Sequence, residues 1–114
     1  MNWAQLVIPL STIAALILLS IVARLSLPSN ARVPMQWGVG GTPTWFASPG
    51  VAVGFVPTFA CVVFAVILAP VVFANSGVSR AVPTEILSVI AVVFLVTHSL
   101  HLWFAVRHVR RHSN

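Results

Sequence analysis

Apolar residues fall into three long runs, at 6–23, 51–74 and 86–106, and polar residues collect between and after them. The first run is relieved only by Pro9, Ser11, Thr12 and Ser20, and the second carries Pro57 and Pro70. In the third, His98 and His101 are the only ionisable groups. Each run reaches the roughly 20 residues that a helix needs to cross about 30 Å of hydrocarbon. Inside lipid, backbone N–H and C=O groups must be paired within the protein, so isolated runs of this length predict helices. A cleaved signal peptide is the competing account of the first run. It has no basic stretch before it and is long for a signal core, which favours a retained helix. The expected fold is all-α integral membrane: three transmembrane helices in a single membrane domain, 1–114.

The connection between the first two runs, 24–50, is the least generic part of the chain. Its centre reads VPMQWGVGGTPTWF, with glycines, prolines and tryptophans but no charge. Val33 precedes a proline and is therefore biased to extended backbone. Gly38, Gly40 and Gly41 allow a tight turn, after which Thr42 to Phe46 runs back. The pattern predicts a Gly/Pro/Trp-rich hairpin-like loop at the membrane interface, its tryptophans at headgroup depth. Ser48 and Pro49 suit the cap and first turn of the second helix. A shorter loop is expected around 75–84, and a basic His/Arg tail at 107–114, RHVRRHSN.

Composition narrows the environment further. The chain is 59% hydrophobic and 6% charged, with a mean hydropathy of +1.03. A soluble domain carries about 25% charged residues, so a soluble globule is excluded. Six arginines stand against Glu85 alone. They flank the apolar runs and do not form one patch, which reads as membrane anchoring and orientation, not nucleic-acid binding. With three spans, Arg24, Arg32, Arg107, Arg110 and Arg111 share one side and Arg80 the other. The positive-inside rule then puts the N-terminus outside and the C-terminus in the cytoplasm. Cys61 is the only cysteine, so no disulfide framework exists.

Other side chains carry candidate chemistry. His98, His101, His108 and His112 fall within about 80° of one side of a continuous helix. Histidines inside a span can bind haem or metal, relay protons, or hydrogen-bond Ser or Thr on a neighbouring helix. His98 and His101 are accordingly a candidate ligand or interface face, while His108 and His112 suit contact with anionic headgroups. Gly50, Gly54, Cys61, Ala65 and Ala69 form a small-residue seam, expected to pack against the first or third helix, or else to dimerise. Glu85, at the start of the third helix, complements the helix dipole. No nucleophile stands with a base and an orienting group, and one carboxylate does not support hydrolysis or phosphoryl transfer. The expectation is a non-enzyme with no cofactor of its own.

One family resemblance rests on specific residues. Leu27-Pro28, then VPMQWG, then GTPTWFASP, then Pro57 resemble the small membrane domain of unknown function 1648 (DUF1648), the N-terminal part of SdpI-type toxin-immunity proteins. The resemblance covers about residues 10–65. It departs where Gln36 replaces the usual histidine, Thr44 the usual aspartate, and Pro49 a frequent basic residue. A His–Asp pair or its metal therefore does not carry over; what remains is a scaffold of turns and rings. The resemblance implies a bacterial cytoplasmic membrane protein with Pro34, Gln36, Trp37, Gly41, Pro43, Thr44 and Trp45 as a recognition loop. It also implies that this loop lies outside, against the arginine count, which puts it inside. Two functions are expected as alternatives: an immunity or regulatory protein that binds a partner at the membrane, which the resemblance implies, and, from the histidine face, an accessory subunit of a larger, haem or redox, membrane complex. Expected partners are the lipid bilayer, another membrane protein or a second copy of the chain, and a peptide toxin; no nucleic acid is expected.

Overall fold

A computed structural model describes residues 3–73 and 82–112. It contains three helices, α1 (Trp3–Leu25), α2 (Pro49–Phe73) and α3 (Thr84–His112), and two strands, β1 (Val33–Trp37) and β2 (Pro43–Ala47), between α1 and α2. All three helices are long and apolar enough to cross a membrane, which marks a multi-pass membrane protein. Large apolar side chains remain exposed along each of them, among them Leu18, Phe59 and Val93. In a bilayer these face lipid tails at no cost. Most of the expected second loop, with Arg80, lies outside the described residues.

The helix ends follow local chemistry. Ser26 Oγ donates to the Val22 carbonyl at 3.0 Å, satisfying one of the last acceptors of α1. The Ala52 amide donates to the Ser48 carbonyl at 2.9 Å, so Pro49 takes the first helical position, where a missing N–H costs nothing. Pro83 accepts from Leu87 at the start of α3, and Glu85 sits in that first turn. The expected tail is corrected here: residues 107–112 continue α3 and are not a separate segment. No glycine or proline interrupts 84–112, and Arg110, Arg111 and His112 in the last turn complement the negative end of the helix dipole. At 1.5 Å per residue α3 is about 43 Å long, which exceeds the hydrocarbon core and carries its basic end beyond it.

An all-helical description gives way at residues 33–47. There β1 and β2 pair antiparallel, with Val33 opposite Ala47, Pro34 opposite Phe46 and Trp37 opposite Pro43, and with irregularities around Gln36. The turn is closed by Gly38 N–H to the Thr42 carbonyl at 2.8 Å and Gly41 N–H to the Gly38 carbonyl at 3.0 Å. Gly41 has φ of 79°, a left-handed conformation that a side chain resists.

Packing centres on α1, which lies against both α2 and α3, while β1 rests on α3 and α2. Two apolar clusters result. One, at the hairpin end, includes Ala23, Leu27, Val33, Ala52, Leu102 and Ala105. The other, nearer the opposite end, contains Leu16, Ala60, Phe64 and Leu87.

The small-residue seam does not pack as expected. Gly50, Cys61 and Ala65 are exposed, and a Cβ added at Gly50 or Gly54 would meet nothing. The buried face of α2 is instead Ala52, Val53, Pro57, Ala60 and Phe64. The reason lies at Pro57, which has no amide hydrogen to give the Val53 carbonyl four residues earlier. An unpaired carbonyl facing lipid costs several kcal/mol, and the face holding this one lies toward α1, where a donor waits.

Candidate functional site

That donor is Ser20. Its hydroxyl donates to the Val53 carbonyl at 2.6 Å and lies 2.8 Å from His98 Nε2. A hydroxyl has one proton to give. With it committed to Val53, Ser20 Oγ must accept from His98 Nε2–H, which assigns the tautomer of the neutral ring from its network. One residue from each helix thus meets in a polar layer between the two apolar clusters. His98 is fully buried there, and its Nδ1 has no hydrogen-bond partner.

His101, one turn further along α3, serves the hairpin. Its Nε2 donates to the Pro34 carbonyl at 3.3 Å, and its ring meets Trp37 edge-on at 6.5 Å between centroids. Trp37 also meets Phe104 at 6.3 Å. Phe46 lies 6.4 Å from His108 and under the Arg32 guanidinium at 5.0 Å. Offset ring contacts of this kind add about 0.5–1.5 kcal/mol each beyond their buried area. The hairpin is therefore seated on the C-terminal third of α3.

The four histidines, one face in projection, divide into three environments. His98 ties the helices together and His101 holds β1. His108 and His112 stack on each other at 4.1 Å, and His112 Nδ1 donates to the His108 carbonyl at 2.9 Å, capping the end of α3. Of the roles open to His98 and His101, the hydrogen bond to a serine of a neighbouring helix is the one His98 makes, with Ser20; His101 meets the hairpin, and Nε2 of each ring is engaged while Nδ1 of each is buried without a partner. Among the described residues no three His, Cys, Asp or Glu side chains converge as metal ligands would.

The candidate loop residues fall into two groups. Pro34 is buried and Trp37 half-buried, both facing the helices. Gln36, Gly41, Thr44 and Trp45 are exposed and Pro43 partly so. Thr44 Oγ1 donates across the strands to the Gln36 main-chain oxygen at 3.2 Å, with Gln36 Oε1 at 3.4 Å. Trp45 keeps 46% of its surface exposed. Apart from Phe46 against His108, β2 lies over β1, so its outer edge is open.

Arg24 and Arg32 stand at the hairpin end, where α3 also brings Arg107, Arg110 and Arg111. Arg107 lies over the Trp103 ring at 5.0 Å. Sequence reasoning did not single out Ser20 or the Val53 carbonyl. The signal for them was Pro57, which leaves the Val53 carbonyl, four residues earlier, without its helical donor.

No family model, curated protein or solved structure matches this chain. The likeness to the domain of unknown function 1648 rests on the residues quoted above.

Proposed function

We propose that this is a small bacterial cytoplasmic-membrane protein with a non-enzymatic binding role, of immunity or regulatory type, and that the hairpin end recognises the partner. The observation that carries the reading is the uneven seating of the hairpin. β1 is fixed by Pro34 and Trp37 against α3, whereas β2, held there only at Phe46, presents an open edge with Trp45 and Thr44. An exposed strand edge offers unpaired backbone groups to an extended peptide, and the aromatic side chains beside it add specificity. A rigid base with an open edge suits a peptide toxin or an extended segment of a regulator. The orientation we adopt, with the N-terminus outside and the hairpin cytoplasmic, is supported by five arginines on the hairpin side.

The test is gentle detergent extraction of tagged protein from its own host, followed by mass spectrometry of what accompanies it. Wild-type protein and Trp3→Ala, altered at the opposite end, should both retain a peptide or regulator. Trp45→Ala should lose it by at least tenfold. A stoichiometric set of membrane proteins that Trp45→Ala leaves intact would replace this reading with the accessory-subunit one.

A further inference from the structure

At the hairpin pole, the 28–32 connection, β2 and the end of α3 border a recess of about 380 Å³. Asn30, Arg32, His108 and His112 supply its polar lining, and Phe46 and Val109 much of the rest. Phe46 belongs both to this recess and to β2, the strand with the open edge. Its ring lies under the Arg32 guanidinium at 5.0 Å and 6.4 Å from the His108 ring. A strand added along β2 would therefore pass beside the recess.

Strand geometry sets what such a segment has to carry. Residues directly opposite on antiparallel strands share a face, with Cβ atoms about 4.5–5.5 Å apart. The residue facing Phe46 is thus directed at the recess. A guanidinium stacked on a ring uses its flat face there and keeps its in-plane N–H fork for a carboxylate. The Asn30 amide and a ring N–H of His108 add further donors on the same recess. Trp45, the next residue, points to the opposite face and keeps 46% of its surface exposed, so an apolar side chain facing it packs best. A free anion would occupy the recess and leave the edge bare, whereas an extended segment with an acid beside an apolar residue meets both.

We infer that the hairpin recognises an extended acidic segment. The segment pairs with β2, sets a carboxylate beside Phe46 against the Arg32 guanidinium, and lays an apolar side chain against Trp45. This rests on the reading of β2 as a docking edge, and it adds the charge and the alternation of what docks there. It differs from diffuse attraction to a basic pole, because it requires backbone pairing as well as charge.

Fluorescence anisotropy of labelled hexapeptides tests it, with the full chain held in phosphatidylcholine nanodiscs, whose lipid carries no net charge. One probe alternates valine with aspartate and a second alternates valine with asparagine. A third is the aspartate probe N-methylated at its backbone amides. Wild type should bind the aspartate probe at least tenfold more tightly than the asparagine probe, and N-methylation should weaken binding at least tenfold. Arg32→Gln should bring the aspartate preference below twofold. Arg24→Gln removes the same charge from the same pole but outside the recess, and should change binding less than twofold. Circular dichroism and a single elution peak establish that each variant is folded. Equal binding of the aspartate and asparagine probes, both lost on N-methylation, would overturn the acidic segment and leave the docking edge standing. An equal loss in Arg24→Gln and Arg32→Gln would overturn the recess in favour of diffuse charge. An aspartate preference that survives N-methylation, or no saturable binding of either probe, would overturn the docking edge and this inference together.

Discussion

Position 57 carries no amide hydrogen, and much of the interior follows from that. The Val53 carbonyl, left without its helical partner, takes the Ser20 hydroxyl proton, and Ser20 Oγ then accepts from His98. Removing the hydroxyl leaves a buried acceptor and a buried donor unpaired together. Ser20→Ala should therefore cost about 1–2 kcal/mol, between the usual value of an intramembrane hydrogen bond and the full penalty of unpaired groups. Pro57→Ala returns an N–H to the Val53 carbonyl. In that background Ser20→Ala should cost at least about 0.5 kcal/mol less, the remainder being the unpaired His98 donor. Unfolding in mixed micelles with increasing dodecyl sulfate, followed by tryptophan fluorescence, measures the cycle. Strictly additive costs would show that Pro57 does not create the need for Ser20.

Among the elements, the hairpin depends on its turn and on α3. Gly41, at φ of 79°, is where the backbone demands glycine; Gly40 has open space around it and no such φ. A β-branched residue at Gly41 should strain the turn by about 1–2 kcal/mol. Gly41→Val should accordingly speed chymotryptic cleavage at Trp37 and Trp45 several-fold in detergent, while Gly40→Ala should leave the rate near that of the wild type. Mass spectrometry of the fragments reads both. Equal rates for the two variants would mean that docking on α3, not the turn, sets the stability of the hairpin.

At the scale of the whole molecule, the fold is 61 Å long, beyond the 40–45 Å of a bilayer with its headgroups. The hairpin and the end of α3 lie together at one pole, and Glu85 starts α3 at the other. Val39 is fully exposed at the hairpin tip. With Cys61 replaced by serine, a single cysteine at Val39 or at His112 should react from one side of the membrane, and one at Glu85 from the other. Given the arginine count, an impermeant maleimide added to intact cells should label Glu85→Cys and spare Val39→Cys. The reverse pattern would place the hairpin outside and return the resemblance-based topology.

The three spans were legible without coordinates because crossing hydrocarbon constrains composition and length strongly, and little else satisfies both. The extension of α3 to His112 was legible in principle, since nothing between 84 and 112 breaks a helix, but the shift from apolar to basic residues masked it. Which face of α2 turns inward was decided only in three dimensions. Small residues permit close approach on any face that carries them. The Val53 carbonyl is met on one of them, by a donor 33 residues away in sequence. The same holds for the histidines: their common direction follows from helical spacing, whereas what each one meets depends on how α1 and the hairpin pack against α3.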